Sequence, residues 1–188
     1  MIGPAPGALV FVTVGTDHHR FDRLMDWIEE WLAAQEPGRV RCVIQHGTSR
    51  PPAGAECHAL LPHPQVQALF AACDVVVCQG GPGSIMEARE AGRIPVVVPR
   101  VARLNEVVDD HQVAFARHLA KLGKIAMAET ARDLYGLLDR ALRDPAAYRV
   151  DLQEPAGAEA IEKAGKLIDE LLRTSRPRRG FIRRPRSR

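Results

Sequence analysis

The sequence predicts an α/β domain built on one parallel sheet, and three observations carry that expectation. Short valine-rich runs alternate with longer stretches of helical period, the pattern of repeated strand–helix–strand units. Runs such as Val75-Val76-Val77-Cys78 and Val96-Val97-Val98 show no polar alternation, as strands covered on both faces do not. The chain has 188 residues, 46% of them apolar and 26% charged, which suits one globular domain with short tails and is too apolar for a disordered chain.

The elements follow in order. Ala8 to Val14 reads as the first strand, stopped by Gly15. The helix after it places Phe21, Leu24, Met25, Ile28 and Leu32 on one face and ends at Pro37-Gly38. Val40 to Gln45 predicts a second strand and His58 to Leu61 a short third one. A helix from about Pro64 turns Val66, Leu69, Phe70 and Cys73 inward. The strand Val75 to Cys78 runs into a glycine turn, a helix from Ser84 to Ala91 and the strand Pro95 to Val98. A helix from about Asp110 to Leu122 is closed by Gly123, a last strand spans Lys124 to Met127, and two helices, about Ala131 to Arg143 and Ala158 to Leu172, complete the domain. The expected division is a folded unit over 1–172 and a basic, disordered tail over 173–188.

Charge divides the chain at the same place. The whole carries +3, yet the residues from Arg173 onward hold eight arginines and no acid, so residues 1–172 have 18 basic and 23 acidic side chains. An acidic body speaks against a nucleic-acid partner, since such binding would lean on the tail alone. There is no apolar run of the ~20 residues that span a bilayer and no signal-peptide pattern in Met1 to Gly7. The expected location is cytoplasmic. Cys42, Cys57, Cys73 and Cys78 form no C-x-x-C pair and are read as core thiols rather than metal or redox groups.

Ligands of open parallel sheets bind beyond the carboxyl ends of the strands, and three loops there are unusually polar. Gly15-Thr16-Asp17-His18-His19-Arg20 could offer backbone amides and a helix start to a phosphate, or be a plain turn with Asp17 as helix cap. Gln79-Gly80-Gly81-Pro82-Gly83-Ser84-Ile85-Met86-Glu87 lets a ligand approach the backbone, with Glu87 one helical turn past Gly83 and within reach of a sugar diol. Ser84-x-x-Glu87 is equally a capping box that needs no ligand. Pro99 to Gln112 gathers Asn105, Glu106, Asp109, Asp110, His111 and Gln112, suited to several hydroxyls, or else caps a helix through Asp109 with Gln112 reaching back and its arginines solvated.

Taken together, Phe11-Val12-Thr13-Val14-Gly15-Thr16, Arg20-Phe21-Asp22-Arg23-Leu24, Gly80-Gly81-Pro82-Gly83-Ser84-Ile85-Met86-Glu87-Ala88, Pro95-Val96-Val97-Val98-Pro99-Arg100 and Asp110-His111-Gln112 resemble the C-terminal, donor-binding domain of family 28 glycosyltransferases. The likeness spans roughly residues 8–122 and is nearest to the small single-domain subunits of two-component transferases. It implies a Rossmann-like domain forming the C-terminal half of a GT-B enzyme. It also implies that Gly80, Gly81, Gly83 and Ser84 hold the diphosphate of a nucleotide sugar, Glu87 the ribose, and His111 with Gln112 the sugar. Gly15 and Thr16 would close the other side, and backbone near Leu61 would face the base. Two departures stand out: Gln79 replaces a His or Ser common there, and Pro82 removes an amide donor.

The implied reaction is inverting transfer of a hexose, from UDP-N-acetylglucosamine or another UDP-hexose, to a lipid-linked saccharide. It would use no cofactor and no obligatory metal. The acceptor would come from a membrane-attached partner subunit, with the arginine tail available to anionic lipid. His18 or His19 has the acid–base range for a general base, although related enzymes take theirs from the other domain. A non-enzymatic nucleotide-sugar-binding module is the competing expectation.

Overall fold

A computed structural model of the chain describes residues 7–150; the expected helix Ala158 to Leu172, the tail and the 172/173 boundary lie outside them. The elements run β1 (Ala8–Thr13), α1 (Asp22–Ala33), β2 (Val40–Gln45), β3 (Glu56–His58), α2 (His63–Ala72), β4 (Val75–Gln79), α3 (Pro82–Glu90), β5 (Val96–Val98), α4 (His111–Lys121), β6 (Ala126–Met127) and α5 (Ala131–Arg143). All five strand pairings are parallel, in the order β3-β2-β1-β4-β5-β6. The direction of winding reverses between β1 and β4, the point beyond whose carboxyl ends sheets of this kind bind their ligands.

The valine runs explain the layers. Along β1, Val10 and Val12 join Leu24, Met25, Ile28, Leu134 and Leu138 under α1 and α5. Phe11 points the other way, onto Phe70, Val76 and Ala88, its ring edge-on to Phe70 at 5.1 Å. A second patch on that face joins Cys78, Ile85 and Val97 to Phe115 of α4. Successive strand side chains alternate between faces, so a run apolar at every position fills both. The side chains of Leu24, Ile28, Leu134 and Leu138 are fully buried, each worth about 1.5–3 kcal/mol of transfer energy.

Several boundaries differ from expectation for definable reasons. The third strand lies at Glu56–His58 rather than His58–Leu61, because β2, its only ladder partner, ends at Gln45 and the chain turns at Gly47 (φ +58°). The next helix starts at Pro82, not Ser84: Gly81 is extended and Pro82 occupies the first turn, where its fixed φ is already helical and its missing N–H costs nothing. The start and end of α5 are as expected, with Thr130 and Asp133 forming a reciprocal cap. Cys42, Cys73 and Cys78 are buried and Cys57 half-buried, all four free thiols; burial pushes the Cys73 thiol up to about 11. Among the described residues no helix is long and apolar enough to cross a membrane.

Candidate functional site

The loops after β1, β4 and β5 meet at the reversal point, and their contacts are specific. Gly15 has φ +73°, and a Cβ there would stand 2.4 Å from Gln79 Nε2, so this position needs glycine twice over. The Gly15 N–H bonds Thr13 Oγ1 (3.1 Å) and its carbonyl accepts from Gln45 Nε2 (3.1 Å). A Cβ on Gly81 would meet the same Gln79 nitrogen at 2.9 Å, and one on Gly80 would meet Gln112 at 3.0 Å. The Gln79 carboxamide therefore fills the seam between the first two loops, and Gln112 packs on the glycine turn from the third.

The first turn of α3 is open. Its N-cap Gly81 supplies no side chain, so the N–H groups of Gly83 and Ser84 have no intrahelical partner, and a Cβ on Gly83 would meet nothing within 4 Å. Ser84 is no cap: it stands in the third helical position and its Oγ accepts from Gln79 Nε2 at 3.2 Å. The capping-box reading of Ser84 and Glu87 thus fails, because Pro82 moved the helix start two residues upstream. Glu87, half-buried, lies four residues from Gly83 on the same helix, and side chains at that spacing share a face.

The third loop is more structural than its composition suggested. Glu106 is buried and takes two bonds from Arg23, Nε to Oε1 and Nη2 to Oε2, both 2.8 Å, plus the Val101 N–H at 2.9 Å. Asp110 Oδ1 accepts the Ala102 N–H (2.9 Å) and Asn105 closes a short 3-10 turn at φ +57°. Neither Asp109 nor Asp17 caps a helix. Asp109 Oδ1 accepts the His111 N–H and lies against the ring Nδ1, and α1 begins at Asp22 with Phe21 at its cap, beyond the reach of Asp17. Gln112 Oε1 does not reach back either; it accepts the Arg100 N–H at 3.2 Å.

Arg100, which the capping alternative left to solvent, is fully buried. Its guanidinium donates to the carbonyls of Val14 (3.1 Å), His19 (2.8 Å) and Glu106 (2.9 Å) and stacks 4.8 Å over the Phe21 ring. Burial lowers its basicity, while the charges of Asp17 and Glu106 act the other way. Sequence reasoning singled out Gln79, Arg100 and Glu106 but missed what each touches, the Arg23–Glu106 pair above all. The signals for Arg100 were its place in the Pro95–Arg100 motif and a charged residue directly after a strand buried on both faces.

The remaining residues fall as follows. Thr16 is exposed on the first loop. The Leu61 N–H is engaged by Gln45 Oε1 (3.0 Å), leaving its carbonyl as the backbone group that could meet a base. Asp17, His18 and His19 present ligand atoms within 4.8 Å of one another, close enough to share a cation.

A parallel α/β sheet whose winding reverses beside a glycine turn is of the fold class that binds its ligands beyond the carboxyl ends of the strands. The chain belongs to the glycosyltransferase family 28 C-terminal domain family, whose model matches residues 9–171. It is 32% identical over 108 residues to the UDP-N-acetylglucosamine--N-acetylmuramyl-(pentapeptide) pyrophosphoryl-undecaprenol N-acetylglucosamine transferase of Xylella fastidiosa, a match covering 56% of this chain and 28% of that protein. The enzyme of the same description from Anaeromyxobacter dehalogenans is 38% identical over 80 residues, 42% of this chain and 20% of that one. The chain thus spans under a third of these curated relatives.

Among solved structures it resembles MurG of Acinetobacter baumannii (TM-score 0.56, 19% identity, 89% of this chain and 51% of that one). It also resembles the glycotransferase of kitacinnamycin (TM-score 0.57, 24% identity, 78% and 38%). At such identities these neighbours speak for the fold, and the fold is that of one half of a GT-B glycosyltransferase.

Proposed function

We propose that this chain binds the nucleotide diphosphate of a UDP-sugar, UDP-N-acetylglucosamine or another UDP-hexose, and transfers the sugar with inversion to a lipid-linked saccharide. The observation that supports the reading is the uncapped first turn of α3, which lies against the seam through the Gln79–Ser84 bond. There the Gly83 and Ser84 amides and the positive end of the helix dipole would favour a diphosphate. In this reading Gly80, Gly81, Gly83 and Ser84 hold the diphosphate. Glu87, with no capping duty, accepts from the ribose hydroxyls; His111 and Gln112 contact the sugar. Gly15 and Thr16 close the far wall, and the Leu61 carbonyl faces the base.

Charge that develops on the departing diphosphate would be met by dipoles already in place. His18 or His19 is the candidate base. The relatives of this chain are enzymes whose names describe an N-acetylglucosamine transferred to a pyrophosphoryl-undecaprenol-linked acceptor, which supports a lipid-linked acceptor here. In this reading acceptor binding falls to a partner subunit attached to the membrane, as the resemblance to two-component transferases implies.

Titration calorimetry of the full chain with UDP, GDP, dTDP and UDP-N-acetylglucosamine tests the reading. Saturable UDP binding that weakens when Gly83 or Glu87 is replaced is expected. A chain that binds none of the four would overturn it.

A further inference from the structure

The loop between β5 and α4 is built with charges inside and apolar side chains outside. The Ala102 N–H bonds Asp110 Oδ1 at 2.9 Å, which ties the two ends of the segment 102–110 together. Between them Glu106 is buried, held by Arg23 and the Val101 N–H. Arg100, just ahead of the loop, is fully buried against the Val14, His19 and Glu106 carbonyls. On the outside, Val108 is 81% exposed and Leu104 48%. They are two of the four large apolar side chains that stand exposed among the described residues, and both fall on this one short loop. Burying an ion pair carries a desolvation cost, yet the loop it shapes leaves Leu104 and Val108 in water. Scattered apolar side chains on a surface need no explanation. A pair held in place beside a ligand site differs, because little ordering is left for the binding step.

The exposed charges of the loop divide in a similar way. Asp109 Oδ1 accepts the His111 N–H and Asp110 Oδ1 the Ala102 N–H, so both carboxylates serve the foot of the loop. Arg103, exposed between Ala102 and Leu104, has no hydrogen bond or ion pair among the described residues. The loop therefore offers one unpaired cation next to an exposed apolar side chain. A guanidinium meets a phosphate with two parallel N–H bonds, and aliphatic side chains leave water for hydrocarbon. Position narrows the ligand further. Val108 precedes His111, read as a sugar contact, by three residues, roughly 11 Å of fully extended chain. The donor's own diphosphate is assigned to the glycine turn after β4, so an anionic, apolar ligand at this loop belongs to the acceptor.

We propose that Arg103, Leu104 and Val108 form a binding site for the diphosphate and first isoprenoid units of a prenyl diphosphate, the lipid end of the acceptor. The inference rests on the lipid-linked acceptor reading above and deepens it: the partner subunit presents the saccharide, and this loop takes the lipid end. Arg103 pairs with the diphosphate, and Leu104 and Val108 cover the hydrocarbon next to it.

The test is calorimetry on the full chain, saturated with UDP so that the donor subsite is filled and titrated with farnesyl diphosphate below its micellar range. Farnesyl diphosphate should bind saturably, and inorganic diphosphate at least several-fold more weakly. Arg103→Gln and the double variant Leu104→Ser, Val108→Ser should each weaken farnesyl diphosphate at least several-fold. Both should keep the parent's UDP affinity, and its Tm as well, since the replaced side chains are exposed. In flotation with phosphatidylglycerol–phosphatidylcholine vesicles, the same variants should behave as the parent does.

Farnesyl diphosphate that fails to bind, that UDP displaces, or whose affinity the variants leave unchanged overturns the proposal. Weaker vesicle binding in the variants, with farnesyl diphosphate unaffected, overturns it in favour of a bilayer surface. A chain that binds no UDP loses the donor reading instead, and farnesyl diphosphate titrated without UDP against the same variants then decides this site directly.

Discussion

Replacing Glu106 by Gln tests whether the third loop is held from within. The side chain is 6% exposed and its carboxylate receives three charge-assisted hydrogen bonds, two from Arg23 and one from the Val101 N–H. Glutamine keeps the shape but removes the charge and turns an NH₂ toward a guanidinium N–H. Breaking one partner of a buried pair costs about 3–5 kcal/mol. The Arg23 side chain is 18% exposed, so water relieves part of the stranded charge and the lower end, about 3 kcal/mol, is expected.

At about 2–4 °C per kcal/mol for a domain of this size, Tm should fall by about 6–12 °C. Thermal unfolding followed by circular dichroism measures it. The double variant Arg23→Gln, Glu106→Gln should cost clearly less than its two single changes summed, since the second change removes a charge already stranded. A Tm within about 2 °C of the parent for Glu106→Gln would show that the pair contributes no more than an exposed one, and the argument for a rigid third loop would fall.

Three further outcomes are expected. Gly83→Ala should leave Tm unchanged or raise it slightly, because the position is helical with open space around it and alanine is favoured over glycine by up to about 1 kcal/mol; the same methyl should weaken UDP binding in calorimetry. Glu87→Gln should leave the melting temperature nearly unchanged, given that Gly81 and Pro82 start the helix, while lowering UDP affinity at least several-fold; unaltered affinity would refute the ribose role. Asp17 and Asp109 have carboxyls held below their usual value. Their contribution to stability is complete above the unfolded carboxylate value near ~4 and is lost as pH falls through the lower folded values. Urea unfolding between neutral pH and about pH 3 should therefore show a shallower acid loss in the Asp17→Asn, Asp109→Asn double variant than in the parent.

The layers of this domain were legible in its sequence because they depend on local period. Val96-Val97-Val98 must fill both faces of a sheet wherever it pairs, and Leu24, Met25 and Ile28 share a helix face by spacing alone. The glycine turn after Gln79 was legible for a similar reason, since closely spaced glycines mark a backbone that something approaches.

What spacing could not reveal is which polar side chain meets which. Ser84 and Glu87 make a correct capping box on paper, yet Pro82 takes the first helical turn and Ser84 answers Gln79 instead. Arg100 reads as a solvated loop residue in the capping alternative, but β5 delivers it beneath a loop some eighty residues earlier in the chain, where the Val14 and His19 carbonyls, together with the Glu106 carbonyl and the Phe21 ring, replace water. Hydrophobic pattern is a property of neighbouring residues and survives in a string of letters. The satisfaction of a buried charge depends on groups brought together only when β1, β4 and β5 pair, so the bond from Arg100 to the His19 carbonyl and the Arg23–Glu106 pair belong to the tertiary structure alone.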